Sequence, residues 1–311
     1  MATAREKVYS VLDHVSRSLD NLDAPVMRAI LPVLNQAHDE VQVALRRWIA
    51  RERGGETFTA QRHRNVLLHL RHSLDKLESS GAVAERSLKK SYATVGPLSM
   101  RNLKHEWAAF SRIFEGTAQP LALDEAVVIA TGKKLLWPQF ESSAKKYAGR
   151  VGERARHELA VSRARSETID ELTNRLQKRL PDVFRANRWD AERLARTESL
   201  NSYNVVHERS IIEAHKEDAD LMSRWDASRD FRRCPMCASL DGQVVDISKG
   251  EKFVAHWFSK SKKRGAREHT MTIDCAPSHP CCRCVIVAWR ASWAAYARNK
   301  QQIDEGGRLA A

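Results

Sequence analysis

Apolar residues recur along the first two thirds of the chain at the three- and four-residue spacing that lines a helix face. Val8, Val11, Leu12, Val15 and Leu19 predict a helix near the start. Ile30, Leu34, Ala37, Val41, Leu45 and Trp48 repeat the pattern, and Gly54-Gly55 reads as its stop because glycine accepts the positive φ of a helix end. A helical hairpin follows from this pair. Leu67, Leu70, Leu74 and Leu77 predict a third helix ending near Ser79-Ser80-Gly81, and Leu103, Trp107, Phe110 and Phe114 mark a further amphipathic stretch. These stripes read as core packing. From Pro120 to about Val151 the pattern is less regular, with Gly132, Pro138 and Gly149 as breakers, which reads as a change of packing unit. Over Ser166 to Leu180, Thr168 and Glu171 have capping-box spacing, and Ile169, Leu172, Leu176 and Leu180 share a face until Pro181. Another helix is predicted from about Ala186, carrying Leu194, Ala195, Thr197 and Glu198 to about Ala214.

After Trp225 the texture changes. Gln243 to Ile247 and Val285-Ile286-Val287 are short β-branched runs of the kind that form strands, while Ser259 to Arg267 is basic, contains glycine, lacks apolar periodicity and reads as an exposed loop. The expected organisation is a helical N-terminal region over 1–120, a helical middle region over 121–222, a Cys/His metal-binding α+β module over 223–295, and a tail over 296–311. The fold class is therefore mainly α, with a small α+β zinc-binding module at the C-terminal end.

Composition sharpens this picture. A chain of 311 residues with 42% apolar content can bury a core, so it is not a disordered tail. Its 52 Lys and Arg against 39 Asp and Glu leave a net charge of +13, which favours encounter with polyanions and non-specific phosphate contacts. Met1 to Lys7 lacks the apolar core of a signal peptide, and no stretch reaches the roughly 18 apolar residues of a membrane span. A soluble protein made in the cytoplasm, without a membrane anchor, is expected. All six cysteines lie between Cys234 and Cys284, and such clustering in a large unsecreted chain favours metal ligation over a disulfide framework.

Cys234-Pro235-Met236-Cys237 is a C-x-x-C pair, and His279-Pro280-Cys281-Cys282-Arg283-Cys284 supplies a second cluster about forty residues later. A C-x-x-C turn can aim two thiolates at one tetrahedral ion, the distant cluster completes the set, and zinc accepts mixed sulfur and nitrogen ligands. Cys234, Cys237, His279 and Cys282 are the expected ligands, with Cys284 as the alternative. A redox dithiol, a disulfide or buried free cysteines would leave the histidine unexplained. Four protein ligands leave no open position, so the expected zinc is structural rather than catalytic.

Taken in order, Ala195-Arg196-Thr197-Glu198, Trp225-Asp226-Ala227, Asp230 through Cys234-Pro235-Met236-Cys237 to Leu240-Asp241-Gly242, and His279 to Cys284 closely resemble the phage Mu protein F-like family of head morphogenesis proteins. The resemblance spans about Ile169 to Val287; the first half of the chain carries no such motif. It implies a minor capsid protein in the phage head. It also implies association with the portal and the major capsid or scaffold proteins, a place beside packaged double-stranded DNA, and a role in head assembly or DNA delivery. Cys281, at the variable position of the last motif, and the long basic loop before it depart from the family pattern. The motif residues also suggest ion pairs among Arg196, Glu198, Asp230 and Arg232 locking the knuckle to the preceding helix, and a turn at Leu240-Asp241-Gly242.

The rival class is a metal-dependent nuclease, because His256, His269 and His279 lie among basic residues near the cysteines. Yet no H-E-x-x-H, G-x-x-x-x-G-K-[ST] or G-x-S-x-G occurs, His157-Glu158 and His207-Glu208 lack the second histidine, and no catalytic set for ADP-ribosyl transfer is found. A non-enzymatic virion assembly protein is the expectation.

Overall fold

The computed structural model describes residues 3–51, 60–165, 167, 169–228, 233–261, 265–280 and 282–293. Helix α1 spans Ala4–Ser18 and opens on a capping box, in which the Thr3 hydroxyl accepts from the Glu6 N–H and the Glu6 carboxylate accepts from the Thr3 N–H. Then come α2 (Ala24–Arg51), α3 (Ala60–Glu115), α4 (Glu125–Ala164) and α5 (Ile169–His215). The fold is mainly helical, with strands confined to the C-terminal part.

The helices are longer than the breakers in the sequence suggest. The expected stop at Ser79-Ser80-Gly81 does not occur, and α3 joins what read as two helices. Gly81 is a point of contact instead: a Cβ there would fall 2.7 Å from the Ala148 Cβ and 2.8 Å from the Ala144 carbonyl oxygen. The irregular stretch around Pro138 is the continuous α4, and Pro181 lies within α5. A proline removes one donor and bends a helix, but packing on both sides of it carries the helix through. Gly54-Gly55 and the Thr168 cap lie outside the described residues.

The chain divides into two units. One combines residues 23–91 and 137–196, its described elements are all helices, and its core includes Ile30, Leu34, Leu77, Leu88, Phe140 and Tyr147. The other combines residues 3–22, 92–136 and the described residues from Thr197 on. In this second unit α1 and parts of α3 and α5 share one core with all the strands, through Leu12, Trp107, Phe110, Tyr203, Trp225 and Trp289 among others.

The strands form two sheets. β1 (Leu221–Asp226) lies between β2 (Val244–Val245) and β5 (Val285–Arg290), antiparallel to both, with Ser223 opposite Val245 on one side and Ala288 on the other. β3 (Phe253–Ser261) and β4 (Gly265–Ile273) form a separate two-stranded ribbon. The stretch that reads as a basic loop is therefore largely strand, with Ser259 opposite Arg267. Cross-strand pairing supplies the order that the missing apolar alternation fails to announce.

Candidate metal centre

Between β1 and β2 a six-residue helix, α6 (Pro235–Leu240), is set up by its own first residues. Pro235 fixes the starting φ, and the Cys234 sulfur caps the helix by accepting from the Cys237 N–H at 3.3 Å. This places the two thiols of the C-x-x-C pair on one side of the turn. The helix ends at Asp241-Gly242, where Gly242 takes a φ of +83° that a residue with a side chain resists.

That turn is also the clamp. The Gly242 N–H donates to the Trp225 carbonyl at 2.8 Å and the Trp225 N–H to the Gln243 carbonyl at 2.9 Å. Asp241 accepts from the Ala227 N–H at 3.1 Å and from the Arg233 guanidinium at 3.2 Å. The turn expected at Leu240-Asp241-Gly242 is present, and Asp241 reaches across to the end of β1.

His279 approaches from the other side, its Nε2 lying 3.2 Å from both the Cys234 and Cys237 sulfurs. Its Nδ1 lies 2.8 Å from the Pro280 carbonyl oxygen, which only accepts, so Nδ1 is the donor of this bond and Nε2 is the atom that faces the sulfurs. Cys282 stands 3.7 Å from Cys237, sulfur to sulfur, and its own sulfur accepts from the Cys284 N–H at 3.5 Å. Ser278 bridges the same pair, its hydroxyl 3.7 Å from the Cys237 sulfur and 3.8 Å from that of Cys282.

Two overlapping triads result. Donor atoms of Cys234, Cys237 and His279 lie within 4.8 Å of one another, as do those of Cys237, Cys282 and Cys284, so Cys237 is common to both. The cluster can hold a metal ion. Cys237, Cys282 and Cys284 are buried, Cys234 and His279 half-buried. Sulfur hydrogen bonds from Cys282 and Cys284 hold the Cys237 thiol well below its ordinary pKa against burial. The same bonds push Cys284 up, and burial pushes Cys234 up. Cys281 lies outside the described residues, and Cys275 stands apart, bonded to Glu208, its thiol pushed up by burial.

One positioning residue carries no signal in the sequence. Asn204 on α5 is fully buried; its Oδ1 accepts from the Ile286 N–H at 3.0 Å and its Nδ2 donates to the Cys284 carbonyl at 3.3 Å. It thus pins the last cysteine and the start of β5 to the helix. Of the residues expected to form ion pairs, Arg196 meets Asp23 at 3.7 Å, and Asp230 and Arg232 lie outside the described residues.

The three histidines of the nuclease reading do not converge. His256 bonds Thr270 at 3.0 Å, His269 stacks on Trp257 and bonds Ser259 at 2.7 Å, and only His279 belongs to the cysteine cluster. His256 and His269 sit at adjacent, oppositely facing pairs of the ribbon. His207, of the His207-Glu208 pair, is fully buried and bonded to the equally buried Glu106 at 3.1 Å.

Among the described residues no helix is long and apolar enough to cross a membrane. Residues 154–287 match the model of a family described as phage Mu protein F like protein. No curated protein and no solved structure matches the chain.

Proposed function

We propose that the chain is a minor structural component of a tailed-phage head, associated with the portal or inner head and acting without catalysis in assembly or DNA delivery; supporting this, residues 154–287 match the phage Mu protein F-like family, a family of head morphogenesis proteins. The observation that carries this reading is that the family's ordered motifs meet in one knuckle: the Trp225 strand, the Leu240-Asp241-Gly242 turn and both cysteine clusters. Portal, major capsid and scaffold proteins are its partners in this reading, and double-stranded DNA is contacted without sequence preference. The net charge of +13 supports the last.

The knuckle holds one structural Zn²⁺ through Cys234, Cys237, His279 and Cys282, with Cys284 as the alternative ligand. Zinc–sulfur bonds of about 2.3 Å set tetrahedral sulfur–sulfur edges of about 3.8 Å. The Cys237–Cys282 separation of 3.7 Å agrees with this, and His279 Nε2, which faces the sulfurs, suits the fourth bond. Backbone N–H groups are directed at the Cys234 and Cys282 sulfurs.

Elemental mass spectrometry on purified protein, with a nuclease assay on the same sample in magnesium or manganese, tests the centre. About one zinc per chain and no cleavage are expected. Absence of zinc sinks the centre, and cleavage lost on His256→Ala replaces the structural reading with the nuclease. The head assignment is tested separately, by finding the protein in purified virions and scoring particles made without it.

A further inference from the structure

The β3–β4 ribbon leaves the core as it extends. Directly opposed residues of an antiparallel pair share a face, so Phe253 with Ile273, Ala255 with Met271, Trp257 with His269 and Ser259 with Arg267 line one face in succession. Phe253, Ala255 and Ile273 are core residues, whereas Met271 is 47% exposed and Arg267 is exposed. Trp257 is held between these regimes, its ring nearly parallel to that of His269 with centroids 5.1 Å apart. On the opposite face Phe258 is 64% exposed beside an exposed His256.

The inner edge of β3 is occupied near its base. Gln243 exchanges side-chain hydrogen bonds with the Val254 backbone at 2.8 and 3.2 Å, and the His256 N–H donates to the Ser239 hydroxyl at 3.1 Å. The base is therefore fastened to the end of α6, the outer part carries the Phe258 ring into solvent, and the Met271 thioether is exposed nearer the base. Exposed apolar groups gathered on one element mark a contact surface.

Charge selects the partner. From Lys252 to Asp274 the sequence holds six Lys and Arg against two acidic residues, and Lys252 and Asp274 neutralise each other at 2.6 Å. The remainder is strongly cationic. Strands of nine residues extend about 30 Å at roughly 3.4 Å per residue, and a two-stranded ribbon has a cross-section that the major groove of duplex DNA admits. We propose that the β3–β4 ribbon is a duplex-DNA contact arm, with Phe258 making apolar contact in the groove and Arg267, at the adjacent cross-strand pair, on the phosphates. This rests on the head-protein reading only for where the DNA is met; the contact itself is a property of the chain.

Fluorescence anisotropy of metal-loaded full-length protein with a labelled 20-bp duplex, over a salt series, tests it. F258A/R267E is compared with R185E, which makes the same charge change on an exposed residue of the all-helical unit; metal content and helical ellipticity confirm that each variant is folded. The ribbon variant is expected to weaken binding about tenfold and to lower the salt slope by about one, while R185E changes affinity less than about twofold. Equal binding by the ribbon variant and wild type overturns the arm, as does preference for a single strand of equal length. Failure of wild type to bind the duplex overturns it too and leaves the head assignment, read from virion content, standing.

Discussion

At the scale of single residues, the metal centre depends on atoms that are not its ligands. Asn204 is the clearest case, because a buried asparagine on a helix joins the chain on both sides of Val285 to α5. Asn204→Ala strands the buried Ile286 N–H and Cys284 carbonyl, and an unmade buried hydrogen bond costs about 1–3 kcal/mol. Denaturant melting should show a loss in that range; a change below about 0.5 kcal/mol, the ordinary effect of a surface substitution, would mean the bonds do not anchor β5. The candidate ligands were legible because cysteine and histidine advertise themselves by type and spacing. Asn204 was not, since a lone polar residue in a helix has the same appearance in a sequence whether it meets solvent or a strand from 80 positions away. The same limit applies to Arg196, whose partner Asp23 lies far back in the chain.

At the scale of elements, two glycines with positive φ separate strain from function. Gly242 at +83° ends α6 and hydrogen-bonds to β1, whereas Gly250 at +77° closes a short 3₁₀ turn, Ile247–Lys249, away from the cysteines. An alanine in this conformation costs about 1–2 kcal/mol, so Gly242→Ala and Gly250→Ala should destabilise comparably. Only Gly242→Ala should also hasten zinc loss to a colorimetric chelator, because it moves the turn that holds the C-x-x-C pair. Equal release rates from the two variants would show that the turn does not position the ligands. Helix faces and β5 were readable from periodicity and β-branching, while β1 was not. Its Leu221-Met222-Ser223-Arg224-Trp225-Asp226 carries no β-branched residue, and Arg224 is buried over the Trp289 ring at 4.9 Å. The long helices were missed for the converse reason: proline and glycine punctuate an isolated segment, but Gly81 is there to let Ala144 and Ala148 approach.

At the scale of the whole molecule, the division into two units makes metal removal a selective perturbation. The all-helical unit has its own core, and none of the five clustered donors belongs to it. In the other unit, Cys237, Cys282 and Cys284 are part of the same buried cluster as Trp225, Trp289 and Trp293. The strands share this cluster with α1 and parts of α3 and α5, so the free energy of metal binding adds to the folding free energy of the unit that contains them. Excess chelator should therefore shift tryptophan emission to the red and abolish near-ultraviolet dichroism, while most of the helical ellipticity survives with a separate, higher melting transition. Cys234→Ser combined with Cys237→Ser should produce the same state without chelator, and added zinc should rescue the chelated wild type but not the double variant. If ellipticity and emission instead fall together in one transition, the units do not fold independently; if neither responds to chelator, the cysteine cluster is held by packing and the metal is not what stabilises it.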